Sequence, residues 1–141
     1  MENYSDKVFN GSWGKLIIDG EELAEIKKFE ASVTMDTTDV AMCGGLKKGK
    51  KIMGRTCEGN ITINKISSFF IKKLNDNMKK GKVTRCTLIA SIEDPNAMGQ
   101  ERIIIKDAEF SKMILANWGS ETLGEESYDF TFTDWELLDL V

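Results

Sequence analysis

Histidine occurs nowhere in the 141 residues. Its absence removes Ser-His-Asp and Cys-His nucleophile systems, the histidine general base and every metal site built on imidazole. Proline occurs once, at Pro95, which excludes proline-rich linkers and polyproline recognition segments. Cysteine is scarce. Cys43, Cys57 and Cys86 are odd in number and lack CxxC spacing, the pattern of free thiols in a reducing compartment. Apolar runs are short, among them Leu16-Ile17-Ile18, Phe69-Phe70-Ile71 and Ile103-Ile104-Ile105, so no membrane anchoring is expected. Residues 1–6 show no positive region followed by an apolar core, and no Sec-type signal is expected.

What is present describes a folded domain. Hydrophobic residues make up 41% and charged residues 30%, and the length suits one domain over residues 1–141. The net charge of −4 is unevenly spread. Residues 47–85 hold 12 Lys/Arg against only Glu58 and Asp76, whereas residues 113–141 hold seven acids and no base. Separate positive and negative surfaces suit either nucleic-acid binding or head-to-tail self-association.

Gly14 to Asp19 reads as a strand closed by the turn dipeptide Asp19-Gly20. Phe29, Ala31, Val33 and Met35 then alternate with Glu30, Ser32, Thr34 and Asp36, the period of a half-buried strand. Residues 40–56 lose periodicity and concentrate glycine and cations, which predicts a long, basic, mobile loop. Within it Gly44, Gly45, Gly49, Lys47, Lys48, Lys50, Lys51 and Arg55 are the candidate inter-subunit contacts. Alternation returns over Gly59 to Asn64.

Ser67 or Ser68 is placed to cap a helix over about residues 67–80, stopped by Gly81. Ile66, Phe70, Leu74 and Met78 fall at i+4 spacing, and Phe69 widens the stripe, so Phe69, Phe70, Leu74 and Met78 are its expected core face. Strands follow at Thr84–Ile92 and Glu101–Phe110, with Lys112–Trp118 as a further strand and the last one around Tyr128–Phe132. Six or seven strands and one helix predict an α+β fold, mainly antiparallel, built as a β-sandwich or small barrel with one flanking helix.

No motif supports catalysis. Gly44 to Lys51 has the glycine spacing of a phosphate loop, but Lys51 stands where the magnesium-binding hydroxyl belongs. The basic loop lacks interleaved aromatics for base stacking. Adjacent carboxylates such as Glu21-Glu22 and Glu125-Glu126 point to opposite strand faces and read as surface charges. Trp13, Trp118 and Trp135 read as core or interface residues. No enzyme activity, cofactor or metal is implied.

The order of several segments carries a resemblance. Gly14-Lys15-Leu16-Ile17-Ile18-Asp19-Gly20-Glu21-Glu22 and Lys28-Phe29-Glu30-Ala31-Ser32-Val33 come first, then Gly59-Asn60-Ile61-Thr62-Ile63-Asn64-Lys65-Ile66-Ser67-Ser68-Phe69. Glu101-Arg102-Ile103, Asp107-Ala108-Glu109-Phe110 and Phe130-Thr131-Phe132-Thr133-Asp134 follow. Collinear from Gly14 to Trp135, they resemble the tail tube proteins of contractile phage tails, in the PBSX-prophage-like family. Met42-Cys43-Gly44-Gly45-Leu46 and Cys57-Glu58 depart from that pattern.

The resemblance implies a homo-oligomer: hexameric rings stacked into a hollow tube, in a phage, defective prophage or tail-like bacteriocin. It implies tail sheath, baseplate and tape-measure proteins as partners, and transient DNA passage in a true phage. It also implies residence in the virion tail or tail-like particle, after assembly in the bacterial cytoplasm. The basic loop is then expected to meet an acidic surface of the next subunit, for which Glu121, Glu125, Glu126, Asp129, Asp134 and Glu136 are candidates. The polar faces Glu30, Ser32, Thr34 and Asp129, Thr131, Thr133 are the candidate lumen residues. The alternative is a monomeric β-barrel binding module with a basic loop.

Overall fold

The structure, a computed structural model, describes residues 11–41, 44, 49–96 and 99–140. A 3-10 turn at Gly11–Trp13 enters β1 (Gly14–Ile18), followed by β2 (Glu21–Glu22), β3 (Ile26–Val40) and β4 (Gly49–Asn64). Helix α1 (Phe69–Lys79) leads to β5 (Thr84–Ile92), β6 (Glu101–Phe110), β7 (Glu125–Thr131) and β8 (Asp134–Asp139). The strands form one antiparallel sheet in the order β2-β1-β5-β6-β7-β4-β3, with β8 attached to β6. The mainly antiparallel fold with a single helix therefore forms as expected, with eight strands among the described residues rather than six or seven.

The sheet curls because β6 changes partner along its length. Its first half, Arg102–Lys106, pairs β8; its last residues, Glu109 and Phe110, pair β7. The change follows a bulge. Between Cys86↔Ala108 and Leu88↔Ile105, β5 passes one residue and β6 passes two, with Asp107 in the left-handed region at φ 55°. Bulges bend a strand and re-aim its edge. Ile103-Ile104-Ile105 lies just before it, with Ile105 buried and its two neighbours half-buried.

The core gathers Leu16, Ile18, Ile61, Ile63, Leu88, Ile105, Phe110, Tyr128 and Phe130 from the inner faces of the strands. α1 closes it through Phe70 and Leu74, both buried, with Phe69 and Met78 packed at the margin. The Phe70 ring stacks on Tyr128 at 4.2 Å and leans on Phe110 at 5.5 Å. Ile66 belongs to neither helix nor core. It precedes the first turn and is 77% exposed. Ser68 occupies the N-cap position without a side-chain capping bond, while the Ser67 hydroxyl donates to the Glu25 carboxylate at 2.9 Å. Gly81, at φ 70°, follows the C-cap Lys80 and suits the left-handed step that ends a helix.

Other local expectations are corrected. Residues 49–56 are strand, not loop, so the connection shrinks to 41–48. Pairing with the β-branched half of β3 overrides weak local propensity there. Alternation was hidden because a bulge at Met53, between Asp36↔Gly54 and Thr37↔Ile52, reverses the side-chain parity of β4. Residues 112–118 form no strand. Of the tryptophans expected in core or interface, Trp135 packs against the core, while Trp13 and Trp118 are exposed. Cys57 and Cys86 are free and buried, whereas Cys43 lies outside the described residues.

Candidate assembly interface

β3 and β4 are 15 and 16 residues long, about three times the usual strand. β7 covers β4 only from Glu58 to Asn64. Beyond that point Val33–Val40 and Gly49–Cys57 continue as a two-stranded ribbon with no third strand among the described residues. Apolar side chains line it in the open: Val33, Met35, Val40, Ile52 and Met53 are all exposed. The outer edge of β3 has no strand partner among the described residues either. A long uncovered edge with apolar neighbours is a template for another chain.

The sequence-derived contact residues divide here. Lys50 and Lys51 are exposed on the ribbon, opposite Asp39 and Thr38, and Gly49 pairs Val40. Gly44 adopts φ 77° in the connecting turn. Gly45, Lys47 and Lys48 lie outside the described residues. Arg55 is engaged within its own subunit. Its guanidinium sits 4.8 Å from the Trp135 ring and donates to the Thr133 carbonyl at 3.0 Å. It thus pins the root of the ribbon to the β7–β8 corner.

The acidic candidates also separate. Glu126 is buried, only 3% exposed, because the alternation of β7 turns Glu126, Tyr128 and Phe130 inward together. Lys65 lies 3.3 Å away, and the Tyr128 hydroxyl donates to the same carboxylate oxygen at 3.4 Å. Burial, then the neighbouring carboxylate, pushes the Tyr128 phenol up to about 12. Glu126 is therefore not a surface charge. Extending the Tyr128/Phe130 alternation two residues back was the signal for it. Glu125 pairs Lys27 at 2.7 Å and Glu136 pairs Lys106 at 2.6 Å, so each is answered inside the chain. Glu121, Asp129 and Asp134 are exposed.

The polar strand faces, distant in sequence, form one surface. Glu30, Asn60 and Asp129 lie side by side across β3, β4 and β7, as do Ser32, Glu58 and Thr131. The Asn60 amide donates to Asp129 at 2.8 Å and to the Ser127 hydroxyl at 2.7 Å. Glu109 extends the row on β6, where Arg85 pairs it at 2.8 Å. The resulting concavity of about 460 Å³ is lined by Glu30, Glu58, Glu109 and Asp129 and by no lysine or arginine. Thr133 is not part of it, since its hydroxyl donates to Asp107 at the β6 bulge.

A family model described as phage tail tube protein matches residues 2–139. The chain belongs to the phage tail tube protein family. Phage-like element PBSX protein XkdM of Bacillus subtilis (strain 168) is 35% identical over 136 residues, which cover 94% of this chain and 92% of that relative. A solved Bacillus subtilis protein from a structural genomics programme is 32% identical, with a TM-score of 0.55 over 91% of this chain and 93% of that one. The fold also matches a chain of an extracellular contractile injection system sheath–tube complex in the extended state. That match has a TM-score of 0.72 at 7% identity, covering 99% and 100% of the two chains. The tail tube resemblance read from the ordered segments is thus established, as is the structural role it carries.

Proposed function

We propose that this tail tube protein forms hexameric rings that stack into the hollow inner tube of a contractile phage tail or tail-like particle. The observation that carries this is the 15-residue edge of β3, which has no strand partner among the described residues and continues into an exposed apolar ribbon. Pairing that edge with a neighbour removes it as an aggregation hazard, and a heterologous contact that closes makes a ring. A second heterologous contact that does not close stacks rings into a tube. The ribbon and its basic turn, with Gly44, Gly45, Lys47, Lys48, Gly49, Lys50 and Lys51, supply that second contact.

The acidic concavity faces the lumen in this reading. Phosphates repelled by Glu30, Glu58 and Asp129 pass without sticking, since duplex affinity comes from Lys and Arg contacts. Sheath protein surrounds the tube, and baseplate and tape-measure proteins meet its end and its bore. The role is structural rather than enzymatic, and the subunit resides in the particle after assembly in the host cytoplasm. Electron microscopy of the purified chain tests the proposal: six-fold rings or hollow tubes are expected, and a monomer at every concentration overturns it.

A further inference from the structure

A second apolar surface lies at the opposite end of β4 from the ribbon. Lys65 donates its backbone N–H to the Gly124 carbonyl at 2.9 Å, and Ile66 and Leu123 are each the chain neighbour of one partner in that bond. Residues 111–124 leave Phe110 on the side of β7, with the Ile114 backbone at the Tyr128 hydroxyl, and Leu115 and Trp118 lie on the stretch between that point and the Gly124 carbonyl bonded by Lys65. Leu123 is 93% exposed, Trp118 87% and Leu115 71%. Four large apolar side chains displayed on two short irregular segments are not explained by packing within the subunit.

We propose that Ile66, Leu115, Trp118 and Leu123 form the seat for the distal β3–β4 ribbon of a second copy of this chain in the adjoining ring. The inference rests on the tube reading and names its stacking contact. Met53 and Asn64 lie eleven residues apart on β4, about 36 Å at roughly 3.3 Å per residue. The ribbon and the seat therefore sit at opposite ends of one strand and never meet within a subunit. A two-fold dimer would match ribbon to seat reciprocally and close after two copies, so it builds no filament. Translation along the strand instead brings Ile52 and Met53 of one copy onto the seat of the next, the non-closing contact that builds a filament. Charge agrees with this pairing: the ribbon exposes Lys50 and Lys51, while residues 113–124 carry Glu121 and no base.

Cysteine cross-linking tests it. In a Cys43→Ser background, Ile52→Cys or Met53→Cys is combined with Trp118→Cys or Leu123→Cys. Cys57 and Cys86 are buried, and all four new positions are exposed. A disulfide needs Cα atoms within about 7 Å, so a bond between these positions joins two copies. Mild oxidation of assembled tubes should give a ladder of covalent multimers that reductant collapses, whereas each single-cysteine variant gives none. In parallel, Trp118→Ser with Leu123→Asp should leave the melting temperature unchanged yet weaken ring–ring association by at least about tenfold, which is roughly 1.4 kcal/mol per ring junction, and so shorten the tubes. Tubes without a ladder in all four combinations, or tubes of full length with the seat altered, overturn the seat and leave the tube reading intact. A chain that never assembles overturns both.

Discussion

The ring of Phe130 reaches over Gly59, its register partner on β4, and puts its Cζ and Cε1 in the space a β-carbon would need. The same missing β-carbon admits the Glu30 carbonyl oxygen from β3. From that position Phe130 stacks on Phe29 at 5.9 Å and touches Phe110 at 5.7 Å and Phe132 at 6.0 Å. One glycine thus lets a single ring join β3, β6, β7 and the β7–β8 corner.

Gly59→Ala should destabilise the subunit by about 1–3 kcal/mol, the usual cost of overpacking a dense core. Adding Phe130→Leu should recover only part of the loss, because the clash with the Glu30 carbonyl remains. Urea unfolding of the two variants measures both effects. Full recovery in the double variant would mean that the ring alone sets the constraint.

Phe70→Ala and Leu74→Ala should each cost about 2–5 kcal/mol, since both side chains are buried and their removal leaves cavities. Ile66→Ala, one helical turn earlier by sequence spacing but exposed, should change stability by no more than about 0.5 kcal/mol. Thermal melting of the three variants separates them.

The Lys65–Glu126 pair should respond asymmetrically to mutation. Lys65→Met strands a buried carboxylate and should cost about 3–5 kcal/mol, whereas Glu126→Gln leaves a lysine that is already partly in water and should cost less. Denaturation at neutral pH compares them. Equal losses would show that Glu126 is not the charge that needs its partner.

Asp19 ties the β1–β2 turn to α1 and β5. It accepts from the Thr87 N–H at 2.8 Å and pairs Lys73 at 2.6 Å. Burial opposes charge on both groups, but their pairing overcomes it, holding the Asp19 carboxyl below its ordinary value and the Lys73 ammonium above. A depressed carboxylate stabilises above its unfolded pKa, near 3.8, and the benefit is lost as pH falls through the folded value. A raised ammonium stabilises below 10.5, and that benefit is lost as pH rises through the folded value. The stability difference between wild type and Asp19→Asn should therefore be constant between about pH 5 and 9, and shrink outside both limits. Asparagine also tolerates the φ of 49° at this turn, so the variant isolates charge. A difference that persists at pH 2 would rule out the ionic contribution.

Glu30→Lys, Glu58→Lys and Asp129→Lys together should leave rings and tubes intact, because these side chains are exposed on the concave face. Such tubes should retain linear duplex DNA at about 50 mM salt and release it by about 200 mM, whereas wild-type tubes retain none. Equal retention by both would place this face away from the bore.

The helix, the strand following Gly14, the strand over Thr84–Ile92 and the tube resemblance were all legible in the sequence. Each depends on local periodicity, on a turn dipeptide or on collinear segments. The inward turn of Glu126 was legible too, had the Tyr128/Phe130 alternation been carried back. What only tertiary structure decided is non-local. The strand over Gly49–Thr56 exists because β3 pairs with it, and the Met53 bulge erases the alternation that would have announced it. The Asp107 bulge sends β6 from β8 to β7, and this merges polar faces of β3, β4 and β7 with Glu109 into one acidic surface. Side-chain period is a property of one strand, whereas register, bulge position and the end-to-end separation of ribbon and seat belong to pairs of strands. Composition carries no record of them.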